Sequence, residues 1–395
     1  MSMKTFMRLF CAFQFFRDFI LVYAVDKLLF LERGLELYQI AILIALWSVM
    51  AIILEVPSGA LADRWNRKNM LVLSGVFDAL GFATWLFSSS FWLFLLGFVF
   101  LTIGGSFASG TLQAYVYDFL KLHEKESEFE RIWGRGSALR LIGIAIAMSL
   151  GGFLSTRSYE LVLVFSALSP LVVAVVALLL PQVKPITSTG ERGYLTLLRS
   201  GVKQAFSNRA LLRVFLYSGT VFVTFGVLEE YDQVLLSSRL GLPNSFIGIW
   251  LAAGIGVSGI CAFYAHRIKH VSWRVLNIIA VVTGTILIIV ALSKSLALLG
   301  ILLLLCIFNG LVGVLTQGII QREIDSDERA TITSVNAFVV EISAIILGLA
   351  FAFIANRFGI HIGYGFFGVV VLVYSLANLV LRRFPVKRLL RRWGS

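Results

Sequence analysis

Long apolar runs separated by short polar breaks fill the chain, and some of them, such as Leu161 to Leu180 and Ile278 to Leu292, are uninterrupted. A membrane-spanning helix needs about 20 mostly apolar residues, whereas a strand in a transmembrane barrel alternates its two faces over about ten. The continuous runs therefore predict helices. They fall near residues 6–30, 39–61, 69–88, 91–119, 133–156 and 159–181, and again near 210–236, 246–266, 275–293, 297–321, 331–356 and 363–384. This pattern predicts an all-α membrane protein of twelve transmembrane helices in two pseudo-symmetric six-helix bundles, 1–181 and 210–395, joined by a polar segment from Gln182 to Arg209.

Within that linker Tyr194, Leu195, Leu198, Val202, Ala205 and Phe206 recur at helical spacing beside Arg192, Arg199, Lys203 and Arg209. Such a stripe predicts an amphipathic helix lying on anionic headgroups. Composition agrees with the bilayer: of 395 residues, 58% are hydrophobic and 14% charged, and the mean hydropathy is +0.89, which leaves no room for a large soluble domain. The net charge of +12 is an orientation signal before it is a nucleic-acid signal. One set of loops carries most of the Lys and Arg, including Arg64, Arg67, Lys68, Arg131, Arg135, Arg192, Arg209, Arg267, Arg322, Arg329 and the tail Arg382 to Arg392. The other set has only Lys27, Arg33, Arg157, Arg239, Lys294 and Arg357. Both termini are expected in the cytoplasm, with the protein multi-pass in the inner (plasma) membrane. The first span is expected to be retained rather than cleaved, because no small-residue cleavage site follows it.

Candidate cofactor chemistry is sparse. Cys11, Cys261 and Cys306 lie in apolar runs, the four histidines have no metal-ligand spacing, and no glycine-lysine phosphate loop suggests ATP-driven pumping. No cofactor, metal or nucleic acid is expected.

The second inter-helix loop reads Gly59-Ala-Leu-Ala-Asp63-Arg64-Trp-Asn66-Arg67-Lys68. It resembles the loop signature of the major facilitator superfamily, differing only where Asn66 replaces a second glycine. Asparagine tolerates a left-handed turn better than most residues, so Asn66 is expected to keep that backbone role. The resemblance implies the twelve-helix fold, secondary transport by alternating access, and a gate between the two halves formed by Gly59, Asp63, Arg64 and Arg67. In helix five Gly134, Gly143, Gly151 and Gly152 resemble the glycine pattern of proton-coupled exporters, although its glycine-proline pair would fall at Ala147 and Met148 and is absent. Gly143, Gly151 and Gly152 are expected to let helix five pack closely on a partner.

An ionised side chain near the bilayer centre costs roughly 2.5–3.5 kcal/mol even on lenient insertion scales, so each one needs a partner, a cavity or a proton. Arg17, Asp18, Asp78 and Asn309 fall near mid-helix, Arg140 and Glu341 within about two turns of it, and Glu229, Glu230 and Asp232 in the outer half of helix seven. With Glu55 the acids clearly outnumber the cations Arg17 and Arg140. Those two cations are candidates to neutralise Asp78 and Glu55, leaving other carboxyls to exchange protons or meet cationic cargo. The resemblance places helices one, four, seven and ten around the central cavity and helix three at the periphery. The expected proton and substrate residues are therefore Arg17, Asp18, Arg140, Glu229, Asp232, Asn309 and Glu341, with Asp18 and Glu341 the leading carriers and Asp78 behind them.

The expected function is a monomeric secondary transporter, not an enzyme, that exports a small organic or amphipathic solute in exchange for protons. An importer or lipid flippase on the same fold is the alternative. A polytopic membrane enzyme is more remote, because no nucleophile-base or metal constellation stands out in the sequence.

Overall fold

The computed structural model of the protein describes residues 1–183, 209–267, 273–323 and 329–383. The amphipathic linker helix expected over Tyr194 to Phe206 and the basic tail beyond residue 383 lie outside the described residues. Every regular element among the described residues is helical. The first spans are α1 (Met3–Arg17), α2 (Asp26–Glu32), α3 (Leu37–Arg64), α4 (Arg67–Leu86), α5 (Phe91–Ala108), α6 (Thr111–Lys121), α7 (Phe129–Ser155) and α8 (Tyr159–Leu179). The second series is α9 (Arg209–Tyr217), α10 (Val223–Leu240), α11 (Asn244–Tyr264), α12 (Trp273–Leu292), α13 (Leu298–Glu323), α14 (Arg329–Phe358) and α15 (Ile360–Arg383). Among the described residues 11 segments are long and apolar enough to cross a bilayer. The interrupted α1–α2 segment, whose pieces are each too short to qualify, lies where the sequence pattern predicts the first of twelve spans.

The chain divides into two compact units. One joins the first six spans to Gly241–Gly256, the opening part of α11, and the other holds the remaining spans. Lipid tails are as apolar as leucine, so helices in a bilayer associate by close packing and hydrogen bonds rather than by escape from water. Small residues supply that closeness in both units. In the first, a Cβ on Gly75 of α4 would stand 2.5 Å from the Pro170 carbonyl oxygen and 2.8 Å from the Ala174 nitrogen of α8. In the second, a Cβ on Gly284 of α12 would stand 3.0 Å from the Gly368 carbonyl of α15, and one on Gly368 would stand 2.9 Å from that of Gly284.

A second device recurs at the helix ends away from the basic loops. The last carbonyls of a helix lack intrahelical donors and form the negative end of its dipole. Arg33, just after α2, donates through Nη1 to the carbonyls of Trp85 (2.6 Å) and Ser88 (3.0 Å) where α4 ends. Arg239, in the last turn of α10, donates through Nε to Ser293 (3.3 Å) and through Nη2 to Ala291 (3.3 Å) where α12 ends. The first span of each series thus clasps the third.

Three expectations change. The first span is not one helix: α1 stops at Arg17, a 3-10 turn covers Leu21–Ala24, and α2 begins at Asp26. The fourth span bends where Gly110, at φ +68°, separates α5 from α6 in a conformation that side chains with a Cβ rarely adopt. Asn66 does not take a left-handed turn. Its φ is −67°, and it caps α4 by accepting a hydrogen bond from the Lys68 backbone N–H (3.0 Å), the usual use of Asn at a helix start.

Candidate transport site

The break in the first span puts a charged pair where a helix ends inside the apolar layer. At such a break the backbone N–H and C=O groups lose their helical partners and must find others, because lipid offers none. Neighbouring side chains supply them. The Ser169 hydroxyl donates to the Phe16 carbonyl (2.8 Å), and the Val22 N–H donates to Ser166 Oγ (2.9 Å), whose own proton goes to the Val162 carbonyl (2.7 Å). On the other flank α7 approaches closely. A Cβ on Gly143 would meet the Phe15 carbonyl oxygen at 2.6 Å, and one on Gly151 would collide with the Leu21 carbonyl. One residue on, a Cβ on Gly152 would stand 2.8 Å from the Cα of Gly248 in α11, beside a hydrogen bond from the Asn244 amide to the Tyr159 hydroxyl (3.0 Å).

At the end of α1, Arg140 of α7 donates through Nη1 to Asp18 Oδ2 at 2.7 Å. Neither member is sealed off: the side chains are 42% and 27% exposed, so the pair faces open space. Arg140 therefore pairs with Asp18, not with Asp78 or Glu55. Asp78 of α4 packs its carboxylate against Gly104 of α5, where any Cβ would occupy the same space. Arg17 and Asp18 are the charges that reach Asp78 through space. Helix three thus brings an acid to this cluster, although its position in the fold argued against it. Glu55 lies exposed toward the basic end.

The second unit builds a different arrangement on α10. A five-residue π-helical turn, Ser218–Phe222, links α9 to α10 and keeps the seventh span continuous. Farther along, the Tyr364 hydroxyl of α15 donates to Asp232 Oδ1 at 2.5 Å. Tyr364 is fully buried, its ring stands 5.9 Å from that of Phe351, and Phe351 lies 4.9 Å from Tyr231, so the phenol is fixed by packing. One turn earlier on the helix, Glu229 accepts from the Asn309 amide of α13 at 3.5 Å. Asp232 has no cationic partner among the described residues. Cys306, one turn from Asn309, lies within electrostatic reach of both acids. Glu341 sits half-buried on α14 and makes no hydrogen bond or ion pair with a described residue.

At the basic end, Gly59, Asp63 and Arg64 belong to the last turns of α3, and the side chains of Asp63 and Arg64 lie outside the described residues. Arg67, at the start of α4, forms a buried ion pair with Asp118 of α6. Breaking such a pair by removing one partner typically costs about 3–5 kcal/mol, because the survivor is left buried and uncompensated. Asp118, Tyr364, Ser166, Ser169 and Gly104 were not marked by the sequence. Only the acid-rich end of helix four offered a signal, for Asp118.

The pattern of the Major Facilitator Superfamily matches residues 9–349. The chain belongs to this superfamily. A tetracycline resistance protein, class H, from Pasteurella multocida is 23% identical over 335 residues, covering 79% of this chain and 78% of the relative. Among solved structures the nucleoside transporter NupG superposes with a TM-score of 0.79 at 13% identity, over 97% of this chain and 100% of that one. A bacterial homolog of the human lysosomal transporter Spinster, inward-facing and occupied, gives 0.73 at 14% identity over 97% of each chain. At those identities the structural likeness speaks for the fold. The superfamily is one of secondary transporters rather than enzymes, which makes this chain a multi-pass secondary transporter.

Proposed function

We propose that this superfamily member exports small organic or amphipathic solutes in exchange for protons. It works by alternating access, as a monomer, with both termini and the basic loops on the cytoplasmic face of the inner membrane. The observation that carries the reading is Asp232. A carboxyl within a spanning helix, held by the neutral phenol of Tyr364 and without a cation beside it among the described residues, is suited to gain and lose a proton as its surroundings open and close. Glu341, half-buried and without a described partner, is the second carrier in this reading. Asp18 is matched by Arg140 and serves the solute instead. Export is favoured by the relationship to a tetracycline resistance protein over most of both chains. Gly59, Asp63 and Arg64 at the end of α3 and Arg67 at the start of α4 act as the gate, with the Arg67–Asp118 pair tying α4 to α6.

Proteoliposomes with an imposed pH gradient and an internal pH dye decide the matter. Tetracycline is the first probe, followed by a panel of siderophores, sugars and lysolipids. Solute addition should collapse the gradient with protons moving against the solute, and Asp232→Asn should abolish uphill transport while equilibrium exchange of solute survives. Unchanged uphill transport in both Asp232→Asn and Glu341→Gln removes the proton-coupling role of these acids. Protons and solute moving together establish the importer instead.

A further inference from the structure

The first unit holds a second chemistry that proton exchange at Asp232 leaves unused. Asp18 and Arg140 face each other where α1 ends, and both remain partly open to their surroundings. One turn earlier on α1, on the same side as Asp18, Gln14 is 2% exposed and packs against Gly136 of α7, where a Cβ would stand 3.0 Å from its Cγ. Gly136 in turn lies one turn before Arg140. The Gln14 Oε1 atom is buried and has no hydrogen-bond donor among the described residues. A buried acceptor left open in this way is satisfied when a donor from outside the chain reaches it. Arg140 gives one terminal nitrogen to Asp18 and has further N–H groups in its planar fork, and Arg17 adds a second cation on the same turn of α1. Around the break the rings of Phe15, Phe16 and Phe19 lie 5.1–6.0 Å apart and offer an apolar wall.

We propose that the Asp18–Arg140 pair, with Gln14, is a subsite for a zwitterionic solute bearing an apolar body. The solute's anionic group takes the guanidinium of Arg140. Its ammonium group donates to the Asp18 carboxylate and to Gln14 Oε1. In the empty protein the two side chains neutralise each other, and a bipolar ligand exchanges that internal pair for two external ones without stranding either charge. A ligand with one charge leaves its unmatched partner exposed to a low-dielectric wall, so it binds more weakly. The inference rests on the transporter reading, but its test reads binding and is independent of proton coupling.

The purified parent protein is titrated in detergent with three forms of one scaffold: phenylalanine, its methyl ester (cation only) and N-acetylphenylalanine (anion only). A leucine series is run in parallel, and thermal stabilisation is read in each case. The zwitterions should bind about tenfold or more tighter than either single-charge form. Asp18→Asn should lose that preference in favour of the N-acetyl anion, and Arg140→Gln should lose it in favour of the methyl ester. Equal stabilisation by all three forms, or by none in both series, overturns the proposal and leaves the pair a structural one. The parent panel decides even if a variant fails to fold. Failure of the Asp232 tests leaves this result standing, and failure here leaves proton coupling standing.

Discussion

The first span of each series answers the same architectural demand in a different way. In both, an arginine at the far end clasps the carbonyls that close the third span, Arg33 on α4 and Arg239 on α12. In both, glycines let the third and sixth spans meet backbone to backbone. Between clasp and basic end the two diverge. The first span breaks outright after Arg17 and hands its free backbone groups to Ser166 and Ser169, whereas the seventh inserts a π-helical turn and stays continuous. The break comes with a matched ion pair, and the π turn precedes an acidic stretch held by a phenol and an amide. Like bracing in the two series therefore leaves the middle of the lead helix free to carry unlike chemistry.

The largest effect that separates the halves should come from the fifth and eleventh spans. Gly151→Ala drives a methyl into the Leu21 carbonyl at the break, and overpacking against backbone should cost about 3 kcal/mol or more. Gly348→Ala on α14 meets only the Val227 methyls at 3.9 Å, so the better helix propensity of Ala should leave stability unchanged or raised by up to about 1 kcal/mol. Thermal unfolding in one detergent compares them, and equal losses would erase the distinction between a seated break and an ordinary helix crossing.

A smaller contrast lies in the serines of the sixth and twelfth spans. Ser166→Ala strands the buried Val22 N–H and should cost about 1–3 kcal/mol, whereas Ser169→Ala removes one of two bonds to the Phe16 carbonyl, which also accepts from the Phe19 N–H, and should cost about 1 kcal/mol. Ser375→Ala on α15 removes only a bond to its own helix at Val371, and the expected loss is under about 0.5 kcal/mol. Hydrogen exchange at Val22 should accelerate in Ser166→Ala and stay at the parent rate in Ser375→Ala.

The smallest effect tests the likeness rather than the difference. Arg33→Ala and Arg239→Ala each remove a charge-assisted cap, and both should lower stability by about 1 kcal/mol, alike within about 0.5. The contact of Arg33 with Glu160 at 3.6 Å adds little, since Glu160 is exposed. A loss in one variant only would show that the clasps are not equivalent.

The fold class and the superfamily were legible because they rest on features that a one-dimensional pattern carries. Helix spans are set by runs of apolar residues matched to bilayer thickness, and the loop from Gly59 to Lys68 has a composition of its own. The sequence also marked which charges are costly, since a charge at mid-helix is expensive wherever the helix sits. It did not say who answers each charge. Arg140 meets Asp18 across 122 positions of sequence, and Tyr364 meets Asp232 across 132.

Those partners depend on helix rotation and crossing, which a hydropathy profile does not contain. The break in the first span was invisible for the same reason. No proline or glycine lies between Phe16 and Glu32, and intrinsic propensity favours a continuous helix there. The helix ends at Arg17 because Ser166 and Ser169 of α8 and the bare backbone of Gly143 and Gly151 in α7 satisfy and accommodate what a continuous helix would have bonded internally. Sequence alone determined an all-helical membrane transporter with costly charges in its helices. Tertiary structure decided where a helix stops and which charges meet, because hydrogen bonds lost within one helix can be regained only from neighbours brought close by packing.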